Sequence, residues 1–555
     1  MSNPAEMDQT RPFWRRPIVL AAAAAALLVL LWAVAGRRYK PRAEDAAQPD
    51  RAAPQTWNEE LLDIAMQNLV RMEEFEGPEM LYQSIDQLDQ WIQGQRPLEG
   101  WQPDPMLATL PEHLAALPPL KDLAKLSFSR PDGLAFQEAI LMRDISNRAR
   151  GEQADPLQQA KRLFDWTVRN IQLGAWLIPT GGDPPYEPGL QLPFETLLSG
   201  QGMPNDRVWV FMLLARQQGL DAVLLALYDP NDPTKRQIHG WLAGVLIGGE
   251  LYLFDPTLGL PIPAPGEIRR AASGELDIQP ATLAQVAADD SLLRRLDADE
   301  ANPYPIKAAL LKQVVALVEA SPPYLSQRMR MVESRLAGAE RLVLATSPSE
   351  VAGRLKQCEH VAEARLWLVP YQLLYQRARY APHVAKWHAQ ATRPFAVGQG
   401  APLEKGRMLH LKGKSSGERS AADWYQLARP SDRTLDAATL DPDARANYRL
   451  AKAHASYWLG LLAAEQGNYR AAEDFFVKRT LEADPDGPWT HGARYNLGRI
   501  YEAQGQTDKA IEQYEGDLRS PSYHGNLLRA RWLGSKTGRL PAEVPPLEKP
   551  AAPFP

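Results

Sequence analysis

Apolar and polar positions alternate with different periods along the 555-residue chain. Over residues 56–93 apolar side chains recur every three or four positions, which predicts amphipathic helix broken at Gly77-Pro78. Proline-rich sequence over 97–119 predicts loop, and 132–150 predicts another helix, so 56–159 reads as an irregular helical region. The helical period returns over 160–172, followed by a Pro/Gly-rich loop. Residues 207–218 (RVWVFMLLARQQ) have almost no polar face, which marks a helix buried at a domain centre and stopped by Gly219. Three strand-like runs follow at 222–228, 241–247 and 250–254, the last two joined by Gly248-Gly249. This order predicts a helix packed on an antiparallel sheet.

Further on, strands at 312–319 and 341–345 and helices at 326–336 and 349–379 predict a small α+β unit over 300–380. The pattern weakens over 381–446, an irregular helical region with loops at 398–406 and 412–417. Beyond it, Leu459-Gly460, Gly467, Ala472 and Phe476 recur as Leu497-Gly498, Gly505, Ala510 and Tyr514, each displaced by 38 residues. The stretch 447–535 resembles tetratricopeptide repeats, with Asp484-Pro485 at a helix-ending place. Its period exceeds the family's 34 residues, and the excess is assigned to 486–490. The resemblance implies paired helices brought close by small residues, and a concave face for a protein or peptide partner. Two ordinary helical hairpins without a ligand are the alternative. The proline-rich tail 540–555 is predicted to be disordered.

Residues 17–36 carry no charge, and this length matches the roughly 30 Å hydrocarbon core of a bilayer. They predict a single transmembrane helix between a basic N-terminus, 1–16, and a linker, 37–55. Arginines flank the run on both sides; the short basic N-terminus favours a soluble part outside the cytoplasm, while the slight basic excess after the run favours the opposite. Cleavage after Ala33-Val34-Ala35 is the alternative. Apolar residues at 45%, charged residues at 23% and a net charge of -5 give no basic field for nucleic acid. The single cysteine, Cys358, excludes an internal disulfide and a cysteine-rich zinc site. Cys358 with His360, and His383 with His388, have the wrong helical spacing for a shared metal. No phosphate-cradling loop is present, and no cofactor is expected.

The chemistry-bearing pattern lies in the middle. His239-Gly240-Trp241 begins one predicted strand and Asp255-Pro256-Thr257 ends the next, so the hairpin brings His239 and Asp255 near each other through a bulge or a diagonal contact. A carboxylate so placed can orient an imidazole. Together with the helix KRLFDWTVRNI, the loop Gly200-Gln201-Gly202 and the buried helix ending Ala215-Arg216-Gln217-Gln218-Gly219-Leu220, residues 160–263 resemble the transglutaminase-like core, a papain-like fold of peptidases and acyl transferases. The resemblance implies a cysteine at the start of the buried helix, where the helix N-terminus and an imidazole favour thiolate. Counting back from Arg216 and Gly219 places that position at Pro204, which suits a first helical turn and supplies no nucleophile. Met203 and Asn205 are poor substitutes, Asp206 is expected to cap the helix, and Ser199 lies too far away. Cys358 follows His239 by 119 residues, in a different unit. Trp209 and Trp241 would line the cleft or belong to the core.

The expectation is therefore a multidomain α+β, membrane-anchored protein. Remnant His239 and Asp255 form a buried hydrogen-bonded pair, and the repeats serve as a non-catalytic, protein-binding scaffold. The alternative is an acyl-transfer or peptide-hydrolysing enzyme with an unorthodox nucleophile.

Overall fold

A computed structural model describes residues 55–534 apart from 76, 175–190, 230, 233, 235–236, 272, 300–301 and 437–439. The first helices follow the sequence pattern: α1, Gln55–Val70, and α2, Glu79–Gln93, separate near Gly77, whose φ of 81° only glycine adopts readily. They pack on α3, Arg130–Arg150, which starts where Asp132 accepts from the Ser129 N–H at 2.8 Å. Short helical turns at Pro105–Thr109, Glu112–Ala115 and Pro118–Lys121 interrupt the loop expected over 97–119. Helix α4, Pro156–Asn170, begins at Asp155, whose side chain accepts from the Gln158 N–H at 2.8 Å. Next come α5, Pro193–Ser199, and α6, Pro204–Gln217, the helix with no polar face.

The central strands are β1 (Asp221–Tyr228), β2 (Ile238–Ile247), β3 (Glu250–Asp255) and β4 (Leu260–Pro261). A side hairpin, β5 (Pro263–Arg270) and β6 (Leu276–Pro280), follows. The turn between β2 and β3 is Gly248-Gly249, with φ values of 61° and 88°. These positive values fit the tight turns that match strand twist. One sheet face packs on α6 through Leu224, Ala226, Val245 and Phe254. The other is buried through Val223, Leu225, Leu227 and Leu253.

The expected separate unit at 300–380 is not separate. Its first strand, β7 (Val314–Val318), pairs antiparallel with β1, and β8 (Val361–Leu366) pairs parallel with β7. The six-stranded order is β8-β7-β1-β2-β3-β4. Residues 341–345 form no strand, and β8 falls inside the stretch expected to be helical. Val314–Val318 is buried at every position and reads equally as buried helix or strand, so its neighbours decide.

Helices then follow: α7 (Val369–Arg379), α8 (Ala381–Ala391), α9 (Pro402–Leu411), α10 (Ala421–Leu427), α11 (Pro442–Glu465), α12 (Tyr469–Phe476), α13 (Thr490–Ala503), α14 (Thr507–Glu515) and α15 (Tyr523–Leu533). Phe395 and Tyr425 share one core with Trp458, Trp489 and Tyr514, so the region 381–446 is continuous in packing with the repeats.

The expected single-pass membrane localisation is corrected. Among the described residues no helix is long and apolar enough to cross a membrane. The two longest, α3 and α11, each carry several charged side chains. The run 17–36 that prompted the expectation lies outside the described residues, as does the tail 540–555.

Candidate functional site

Two features were singled out by sequence, the start of α6 and the repeats. At the first, Met203 precedes the helix and Pro204 is its first residue, half-buried, where a missing N–H leaves nothing unpaired. Asp206 caps this turn. Its carboxylate accepts from the Met203 N–H at 2.8 Å and from the Gln191 N–H at 3.1 Å. Burial pushes this carboxyl up to about 7, against those two N–H donors. Ser199 is also buried and shares its hydroxyl among the Gln191 side chain and the carbonyls of Thr196 and Gln201. None of these partners is a base.

The expected His239–Asp255 pair is not formed. Strand β3 pairs with β2 from Ile247 opposite Glu250 to Ala243 opposite Phe254, which brings Asp255 level with Leu242, three positions short of His239. A bulge in β2 does occur, but against β1: Leu225 faces Leu242 and Ala226 faces Gly240, leaving Trp241 as the extra residue. Gly240 then faces α6, where an added Cβ would lie 3.6 Å from Asn205 Oδ1. His239 falls opposite Leu227, on the other face. Its Nε2 lies 3.3 Å from Asp229 Oδ2, and its side chain is 34% exposed.

Asp255 is 4% exposed. It accepts from Tyr304 Oη at 2.6 Å and from the N–H groups of Thr257 and Leu258 at 2.8 and 2.9 Å. Tyr304 Oη in turn accepts from Trp241 Nε1 at 2.9 Å. Burial raises the Asp255 carboxyl in spite of these donors. Neither Asp229 nor Tyr304 is legible in the sequence, because each lies in irregular chain whose position only the folded sheet defines. Trp209 is core, 2% exposed and edge-on to Trp367 at 5.3 Å, while Trp241 is half-buried. Cys358 is buried, and burial followed by the charge of Glu250 raises its thiol, which disfavours thiolate. Cys358 and His360 lie in the turn before β8 rather than on a helix, and His388 Nε2 sits 2.9 Å from Glu195 Oε1.

The repeats show why their small residues recur. An added Cβ on Gly460 would lie 2.6 Å from Phe476 Cε1, and one on Gly498 the same distance from Tyr514 Cε1. Thus where α11 meets α12, and α13 meets α14, a glycine of one helix lies against a ring of the other. The turns match as well. Gly467 and Gly505 have φ values of 72° and 69°, and Asn468 N and Gln506 N donate at 2.8 Å to the carbonyls of Ala463 and Tyr501. The extra length of the first repeat is not confined to 486–490. After Phe476 the helix widens into a π-helical turn, Val477–Leu481, before the loop to α13.

The face of α13 that meets α4 is already occupied by the chain itself. Arg499 pairs with Asp165 and Asn496 Nδ2 donates to the Arg169 carbonyl at 3.1 Å, while Asn170 at the end of α4 reaches Glu465 of α11 at 3.4 Å. At the loop end of the repeats, by contrast, a cavity of about 510 Å³ opens between Pro485–Arg494 and Gly516–Arg519. Leu518, 40% exposed, stands at its edge. Arg494, half-buried, lines it as well. Among the described residues no group of three or more His, Cys, Asp or Glu could hold a metal ion.

No curated protein and no solved structure matches the chain. A family model described as tetratricopeptide repeat matches residues 491–516, the α13–α14 hairpin. With its glycine-to-ring contact and its left-handed glycine turn, this hairpin is a tetratricopeptide repeat.

Proposed function

We propose that this protein is a non-catalytic, protein-binding scaffold built on a transglutaminase-like core. The observation that carries the reading is the state of the would-be triad. Pro204 stands where the nucleophile belongs, His239 is bonded to Asp229, and Asp255 is bonded to Tyr304. Nucleophilic catalysis needs a nucleophile, its base and the base's orienting group within hydrogen-bond reach, and these three are dispersed. The order of α6 followed by antiparallel β1, β2 and β3 supports the likeness of fold. The tetratricopeptide repeat at 491–516 supports a protein partner.

Because one face of α13 is filled by α4, the partner surface is assigned to the 510 Å³ cavity at the loop end. Leu518→Asp and Arg494→Glu alter its rim without touching the core. Cross-linking mass spectrometry on the full chain tests this assignment: both variants are expected to lose the same partners while keeping the wild-type melting temperature. An unchanged partner set would sink it.

A further inference from the structure

Asp517, in the turn after α14, and Arg494, on α13, both line the loop-end cavity of about 510 Å³. Asp517 is 4% exposed. Its Oδ1 lies 2.8 Å from His491 Nδ1, while its Oδ2, equally buried, has no hydrogen-bond partner among the described residues. A buried acceptor left without a donor is costly, and more so when it carries charge. Arg494 reaches the same turn. Gly516 precedes Asp517, and a Cβ on it would lie 3.6 Å from Arg494 Nη1 and 2.8 Å from the Glu512 carbonyl. A guanidinium and a carboxylate therefore border one cavity side by side, and among the described residues no ion pair joins them.

The other polar groups of the lining are taken. Arg519 and Asp486 pair with each other at 2.7 Å, and the Thr490 hydroxyl donates to the Pro485 carbonyl at 3.0 Å. Leu518, 40% exposed, supplies apolar surface. Charge then selects the ligand. A simple anion would suit Arg494 and be repelled by Asp517, and a simple cation would meet the reverse. A neutral amide suits both, but through hydrogen bonds about half as strong as charge-assisted ones. A zwitterion sets each charge on its opposite. In a free α-amino acid one carbon bears both charged groups, a short spacing that suits two neighbouring side chains of opposite sign. Size agrees, since the cavity falls within the roughly 300–1,000 Å³ of small-molecule sites.

We propose that the loop-end cavity binds a free α-amino acid with an apolar side chain, its ammonium on Asp517, its carboxylate on Arg494 and its side chain against Leu518. The ammonium reaches the buried Oδ2 as the His491 ring, 35% exposed, turns aside. The site goes beyond the scaffold reading, because binding needs no protein partner. One consequence rests on that reading: a partner engaging this cavity competes with the amino acid.

Calorimetry on the full chain tests the site near neutral pH and at equal ionic strength with L-leucine, with the anion N-acetyl-L-leucine and with the cation L-leucinamide. L-Leucine is expected to bind and to shift the Leu518 methyl and His491 ring signals in NMR spectra. Both analogues are expected to bind at least about tenfold more weakly, and Asp517→Asn and Arg494→Gln should each weaken L-leucine by a similar factor. Asp517 also holds His491, so if its variant fails to fold, Arg494→Gln and the wild-type comparison decide. An unchanged partner set in Leu518→Asp and Arg494→Glu sinks only the partner assignment, and failed L-leucine binding sinks only this site. No L-leucine binding, an analogue that binds as tightly, binding that leaves the Leu518 and His491 signals unmoved, or wild-type affinity in either folded variant would overturn the proposal.

Discussion

Burial decides what the acidic residues around α6 do with protons. Asp206 and Glu138 are both raised to about 7 by burial, with Glu319 adding to the effect at Glu138. The folded chain therefore holds protons that the unfolded chain has released, and stability falls as pH rises from about 4 to about 7. Glu465 and Glu502 behave oppositely. Burial alone would raise them, but His410 and Arg529 respectively override it and hold both near 2, a contribution present above about 4.5 and lost toward pH 2. Urea midpoints are thus expected to peak near pH 4–5, about where the two limbs meet. Asp206→Asn should flatten the decline toward pH 7, by at most about 4 kcal/mol from a shift of this size. Parallel wild-type and variant curves would contradict the assignment. Tyr304→Phe removes the hydroxyl between Trp241 and Asp255 and should cost about 1–3 kcal/mol in denaturant unfolding. His239→Ala, at a half-exposed site, should leave the midpoint nearly unchanged. The cap at Asp206 was legible in the sequence because it depends on local position alone. The partners of His239 and Asp255 were not, because a single bulged residue, Trp241, changes which residues face α6.

Secondary-structure elements were most legible where spacing and contact coincide. The 38-residue displacement marks Gly460 and Gly498 as places of close helix approach, and in the fold each of these glycines meets an aromatic ring. The π-helical turn at Val477–Leu481 left no such mark. Glycine in a helix normally costs about 1 kcal/mol relative to alanine, yet an added Cβ at Gly460 or Gly498 meets an aromatic ring. Gly460→Ala and Gly498→Ala should therefore destabilise by about 1–3 kcal/mol through overpacking. Gly353, in the helix Pro348–Leu355, has nothing within 4 Å of its would-be Cβ. Gly353→Ala should stabilise by up to about 1 kcal/mol. Thermal melts of the three variants check the contrast, and a common sign would contradict it.

Across the whole molecule, boundaries drawn from pattern dissolved into shared packing. Strand β7 extends the central sheet because its buried apolar run finds an open edge beside β1, and the half-buried β8 then pairs along β7, a long-range match that local period cannot show. The repeats dock on the same body. Beside the α4 contacts, His524 Nε2 lies 2.6 Å from the Leu296 carbonyl, and an added Cβ on Gly525 would collide with the Leu258 carbonyl. Gly525→Ala should loosen α15 and speed proteolysis near the C-terminus while leaving the sheet folded. The docking covers chain next to α6 without assembling a nucleophile there. Intact-mass spectrometry of the full chain after incubation with a glutaminyl-peptide acyl donor tests this central claim most directly. The account predicts an unchanged mass and no released ammonia, whereas a covalent acyl adduct that disappears in His239→Ala would contradict it.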